Sequence, residues 1–186
     1  GLQPVQGSFL QPFALNIVSL GDTNELLLET LAGRDSMKLK DDFVPFENTA
    51  HREVEAGVVF AGYGISAPEY GYDDYAGFDV RGKIVFVLRH EPGEEDSASV
   101  FAGRKETEYS SVATKVRQAR EHGAVAVLVA TDPLNHRLMT PRGFPWPSLS
   151  KIIPKDALPL ALSVEESEKL PVVHVGERII NRLLGS

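Results

Sequence analysis

A β-rich α/β domain, with a partly parallel sheet and two or three flanking helices, is what this sequence implies, and three observations carry it. Ile84-Val85-Phe86-Val87-Leu88 and Ala124 to Val129 are short unbroken apolar runs, as expected of strands buried on both faces. Between them Tyr109, Val112, Val116 and Ala119 fall three or four apart and make one apolar helix face. A strand, helix, strand order with glycine-punctuated turns is the connection that neighbouring parallel strands require.

Taken in order, Phe9-Leu10 and Phe13 to Leu20 read as strand, broken by the turn residues Gly21-Asp22-Thr23-Asn24. Glu25 to Leu31 reads as the returning hairpin partner, although Glu25-Leu-Leu-Leu-Glu29 also suits a helix, and Gly33 marks the next turn. Asp41 to Pro45 reads as an edge segment, because Pro45 has no amide hydrogen to give a central ladder. Residues 1–54 are therefore expected to be a strand-rich lead-in packed on the same domain as a core spanning 55–186.

In that core, Val58 to Ala61 is a short strand running into Gly62-Tyr63-Gly64, and Asp79 to Lys83 is a turn into the first buried strand. The helix stops at Gly123, with Arg120 and His122 in its last turn, where positive charge suits the carbonyl end of the dipole. Thr131-Asp132-Pro133 closes the second buried strand, and a proline-rich stretch runs from Pro141 to Pro147. Leu158 to Leu162 and Pro171 to Val175 are further strand-like segments, and Ile179, Ile180, Leu183 and Leu184 line a closing helix. So few helices for so many strands argue against a doubly wound sheet covered on both faces.

Composition removes several function classes. With 42% hydrophobic and 24% charged residues, a chain of 186 residues can bury a real core. A net charge of −7 repels a phosphate backbone, which argues against nucleic-acid binding. No apolar run approaches the length of a membrane-spanning helix, so membrane insertion is not expected. Cysteine is absent, which excludes disulfides, thiolate ligands and cysteine nucleophiles. The chain starts at Gly1 without Met and reads as a piece of a longer polypeptide.

Several patterns invite a chemical reading. Gly62-x-Gly64-x-x-Ala67 follows a strand and matches the dinucleotide fingerprint, but Pro68 and Gly71 follow where a phosphate-binding helix should begin. The glycines are better explained by a positive-φ turn beside bulky tyrosines. Ser148-x-x-Lys151 matches a serine–lysine hydrolase pair, yet Pro145, Pro147 and Pro154 argue for loop rather than the helix that pair needs. The five histidines, His51, His90, His122, His136 and His174, are too widely spaced for any short ligand motif, so neither metal nor cofactor is expected in this chain. Glu94-Glu95 reads as a solvated acidic loop, and Ser163-x-x-Glu166 as a capping box. His174 alternates off the apolar set and should face outward or into a hydrogen bond. Tyr63, Tyr70, Tyr72 and Tyr75 cluster beside Asp73-Asp74, as a loop packed on the sheet or as a binding surface.

The ordered set Val58-Val-Phe-Ala-Gly-Tyr-Gly-Ile65, Tyr72-Asp-Asp-Tyr75, Asp79 to Arg89 and Ala119 to Val129 resembles the protease-associated (PA) domain. Leu170-Pro-Val-Val-His-Val175 and the helix to Leu184 look like its closing strand and helix. Tyr72 to Tyr75, His90-Glu-Pro92 and Phe101-Ala-Gly103 are similar to PA domains inserted in secreted bacterial di-zinc aminopeptidases, the group related to glutamate carboxypeptidase and the transferrin receptor. The resemblance implies a swivelling β/β/α fold with a β-sandwich-like sheet core. It also implies a non-catalytic domain that covers a peptidase active site, shapes substrate access and mediates protein contacts. Its partners would be the peptidase domain of the same polypeptide and a peptide or protein substrate, with two zinc ions in that missing domain. A secreted or periplasmic setting follows from the resemblance alone. The catalytic signature of the parent group, an H-x-D with a later Glu-Glu, cannot be placed on this chain. Many PA domains have Cys near the loop where this chain has His90-Glu91-Pro92, so any disulfide there is absent.

Two other functions compete: a free-standing peptide- or protein-binding module of a receptor-like protein, and an autonomous hydrolase using Ser148 and Lys151. For a lid, the substrate-facing side should be the loops after the buried strands, His90 to Tyr109 and Asp132 to Trp146, since ligands meet parallel α/β units at the carboxyl ends of strands. Arg104 and Arg142 would then meet a substrate carboxylate, and Phe101, Phe144 and Trp146 its apolar groups.

Overall fold

A computed structural model of the chain describes residues 3–4, 7–10, 15–31, 33–132, 136, 141, 146, 148–149, 151, 160–162 and 168–185. In chain order the strands are β1 (Leu15–Ile17), β2 (Leu26–Thr30), β3 (Gly33–Met37), β4 (Phe43–Pro45), β5 (Val58–Phe60), β6 (Ser66–Ala67), β7 (Tyr72–Asp73), β8 (Ile84–Leu88), β9 (Ala126–Ala130), β10 (Leu160–Leu162) and β11 (Val172–Val175). The helices are α1 (Val112–Glu121) and α2 (Glu177–Leu184).

The central sheet has the order β4-β11-β9-β8-β5. β5, β8, β9 and β11 are parallel, with Phe86 opposite Leu128 and Val129 opposite His174. β4 runs antiparallel to β11 at one edge, where Pro45 is tolerated. Strand alternation sorts the residues into two layers. Val85, Val87, Val127, Val129 and Val172 pack with Ala119, Val112 and Val116 of α1. Phe86, Leu128, Ala130 and Val175 pack on the other face with Ile179 and Ile180 of α2, Phe43, and Leu28 and Met37 of the β2–β3 hairpin. Among the described residues both faces are thus packed, one by α1 and the other by the β2–β3 hairpin together with α2.

The hairpin partner differs from the sequence expectation. β2 pairs with β3, and β1 instead pairs antiparallel with β10, Leu15 opposite Leu162. The helix alternative for Glu25–Glu29 gives way to strand. α1 starts at Val112, and Tyr109 lies before it in a separate 3-10 turn, Glu108–Ser110. Gly123 ends α1 as expected: at φ +85° its amide donates to the Arg120 carbonyl and that of Ala124 to Ala119. α2 is tied to the earlier chain by Arg178 on Asp42 at 3.0 Å and Arg182 on Asp35 at 2.6 Å. Its last apolar residue, Leu184, is half exposed rather than packed.

Candidate functional site

The last rung between β8 and β9 is the Arg89 amide donating to the Ala130 carbonyl at 2.7 Å, and beyond it the two strands run into separate loops. His90 turns the first loop with φ +62°, a left-handed conformation uncommon for a side chain bearing Cβ. After β9 the His136 amide donates to the Asp132 carbonyl at 3.1 Å, and the His136 ring lies over that of His90. The two imidazoles stack, with centroids 4.4 Å apart. Glu94 lies against both: its Oε1 is 2.7 Å from His136 Nε2 and its Oε2 is 3.4 Å from His90 Nδ1. Glu106 Oε1 stands at the rim, 3.6 Å from His90 Nδ1. All three central side chains are partly buried, and their donor atoms lie within 4.8 Å of one another.

Buried polar groups fix this arrangement from beneath. Glu91, 1% exposed, accepts from the Thr107 amide at 3.1 Å and its hydroxyl at 2.6 Å, which clamps the base of the loop between them. Tyr63 donates to Asp132 Oδ2 at 2.7 Å, and burial together with that carboxylate pushes the Tyr63 phenol well above its ordinary value. Lys115 is fully buried on the inner face of α1, donates to the Tyr63 carbonyl at 2.7 Å, and is pushed down to about 7 by burial, with Asp74 and Glu91 opposing. Gln118, one turn further, accepts from the Ser66 amide and donates to the Ser66 carbonyl, as a paired strand would. Asp74 accepts from the Tyr63 and Ile65 amides and from the Tyr72 hydroxyl. That carboxylate occupies the mouth of the Gly62-x-Gly64 turn, where a dinucleotide would need its pyrophosphate. The segment after it is β6 and a short 3-10 turn, not a helix.

The site residues expected from sequence are distributed unevenly. Phe101 is fully buried, packed against Tyr70, Tyr72 and Tyr109, so it anchors its loop and offers no ring to a ligand. Trp146 is also buried, its indole N–H donating to the Pro45 carbonyl of the edge strand at 2.9 Å. Arg104 is exposed and paired with Glu95 at 3.4 Å. Arg142 and Phe144 lie outside the described residues, as does the Ser163-x-x-Glu166 pattern. Ser148 and Lys151 are exposed, and Ser148 lies in a turn. His174 takes the hydrogen-bonded alternative, buried with Nε2 3.2 Å from Thr131 Oγ1.

Glu94 departs from its reading as part of a solvated acidic loop; only Glu95 of that pair is well exposed. The His90, Glu94 and His136 cluster had no signal in spacing, since its histidines come from loops after two different strands. Only the parallel pairing of β8 with β9 brings those loops together.

A family model described as the PA domain matches residues 54–183. Among solved structures, the chain is similar to an aminopeptidase from Aneurinibacillus sp. strain AM-1, with TM-score 0.53 and 18% identity, over 92% of this chain and 28% of that one. It is also matched to BSAP, a zinc aminopeptidase from Bacillus subtilis, with TM-score 0.41 and 18% identity, over 92% of this chain and 31% of that one. Comparison with curated proteins finds no match. The chain thus spans less than a third of the length of either aminopeptidase, and at this identity the first likeness is one of fold.

Proposed function

The chain belongs to the PA domain family, and on that footing we propose that it is a non-catalytic accessory domain of a zinc-dependent aminopeptidase, covering the active site and shaping substrate access. The observation that carries this reading is the fold likeness to under a third of one aminopeptidase chain, which leaves the larger part of such a protein to hold the chemistry. The two zinc ions of the proposal belong to that larger part, as does the peptidase partner, and the setting would be secreted or periplasmic. The loops after β8 and β9 are the face offered to a peptide, because strand carboxyl ends are where parallel α/β units present ligand surfaces. Arg104, beside the exposed Lys105, is the cation assigned to a peptide carboxylate on that face, and Phe101 is the buried anchor of its loop.

The test compares the full polypeptide with a form lacking residues 54–183, on a single-residue chromogenic amide and on peptides of increasing length. The expected result is small-amide hydrolysis within a few-fold of the parent and an altered preference for peptide length. Unchanged length preference, or peptide hydrolysis by the isolated 186-residue chain, overturns the reading.

A further inference from the structure

We propose that His90, Glu94 and His136 bind one divalent transition-metal ion of the zinc class, tying the loop after β8 to the loop after β9. Two imidazoles and one carboxylate suit zinc and its first-row neighbours, and three protein donors leave a fourth position open. In a tetrahedral site with donors about 2.1 Å from the ion, those donors stand roughly 3.4 Å from one another. Glu94 Oε2 is already at that spacing from His90 Nδ1, 3.4 Å, while Glu94 Oε1 is closer to His136 Nε2, 2.7 Å, and would move outward to admit the ion.

A second observation separates a metal site from an ordinary histidine–carboxylate pair. His136 Nε2 is shut off from solvent and, among the described residues, has no hydrogen-bond partner, although Glu94 Oε1 lies 2.7 Å away. The two groups are close enough to attract as charges, but the ring nitrogen and the carboxylate oxygen are not aligned as a hydrogen bond requires. An ion between them satisfies both, and a buried polar atom otherwise left unpaired is costly. The stacked imidazoles must fan apart to share it, a rotation open to partly exposed rings on loops. Glu106, beside His90 Nδ1, is placed to enter the open position or to hold a bound water there. Supporting contacts of the kind that orient ligands are in place: Glu91 clamps the first loop through Thr107, and Tyr63 holds Asp132, whose carbonyl anchors His136.

The experiment titrates the 186-residue chain with Zn(II) by calorimetry, and with Co(II) while following histidine ring protons by NMR. Expected are one ion per chain with a dissociation constant of about 1 μM, and cobalt broadening confined to two of the five histidines. Glu94→Gln, nearly the same size, and His136→Ala should each weaken binding at least about a hundredfold, while His51→Gln leaves it intact. The cobalt result needs no variant, so it stands if one fails to fold. No saturation below about 1 mM, undiminished binding by Glu94→Gln, or broadening of other histidines overturns the site. None of these outcomes bears on the accessory reading, whose test is peptide selectivity.

Discussion

The Lys115 ammonium donates to the Tyr63 carbonyl at 2.7 Å from the buried face of α1, so a charged side chain sits where the helix should present only apolar groups. Burial pushes Lys115 down to about 7, with the Asp74 and Glu91 carboxylates resisting. The folded chain releases this proton above about pH 7, whereas the unfolded chain keeps it to about pH 10.4. Between those values the unfolded state binds more protons, so this group's contribution makes stability rise with pH, by at most about 1.4 kcal/mol per pH unit. Lys115→Met should lose that rise. Chemical unfolding of both proteins from pH 7 to 9.5 checks it, and equal pH slopes would refute the assignment.

Gly62 and Gly64 should be intolerant of any side chain, for separate reasons in the same turn. At φ +49°, a Cβ on Gly62 would lie 2.4 Å from Asp74 Oδ1, the oxygen that accepts from Tyr72. At φ +66°, a Cβ on Gly64 would lie 2.6 Å from Val87 Cγ1 in the buried strand β8. Left-handed backbone costs about 1–2 kcal/mol and overpacking about 1–3 kcal/mol more, so each alanine should cost roughly 2–5 kcal/mol. Gly71, at φ +64° with nothing within 4 Å of its Cβ position, should cost only the backbone part, about 1 kcal/mol. Urea midpoints of the three alanine variants give the ranking.

Glu91→Gln should loosen the loop that carries Glu94 without touching the sheet. The carboxylate accepts from both the amide and the hydroxyl of Thr107, and an amide side chain has only one oxygen to offer. One buried donor then loses its acceptor, at about 1–3 kcal/mol. Limited proteolysis should cut between residues 92 and 106 sooner in the variant than in the parent, with the cores around Val127 and Phe86 equally protected in hydrogen exchange. Cleavage at unchanged rate would show that the clamp contributes nothing.

These contrasts show which features the sequence exposed. The sheet strands β8 and β9, the stop of α1 at Gly123 and the edge position of Pro45 follow from local rules: apolar run length, the positive φ of glycine, the missing amide of proline. The pairing of β1 with β10 could not be read this way, because no local rule chooses a partner some 145 positions away, and Leu26 to Thr30 answers the strand pattern wherever it pairs. Lys115 and Gln118 were hidden because a helix face is read from its apolar members, and both are buried by hydrogen bonds to Tyr63 and Ser66 that only the folded loop supplies. The His90, Glu94 and His136 cluster was hidden for the same reason on a larger scale, being assembled by strand order. Phe101, in a loop of charged and small residues, resembled a surface group until Tyr70, Tyr72 and Tyr109 closed over it.

Phe101 and Arg104 should therefore separate stability from recognition within one loop. Phe101→Ala removes a fully buried ring and should cost about 3–5 kcal/mol of unfolding free energy. Among the described residues Arg104 is held by an exposed pair with Glu95 at 3.4 Å, and such pairs are worth about 0–1 kcal/mol, so Arg104→Ala should leave the urea midpoint nearly unmoved. In the full polypeptide the order reverses. If Arg104 meets the carboxylates of incoming peptides, its loss raises KM for acidic peptides while kcat and the KM for neutral ones hold, because an interaction made equally in ground and transition states affects binding alone. Equal KM for both peptide classes would remove Arg104 from the substrate path and leave the loop's role to its anchored shape.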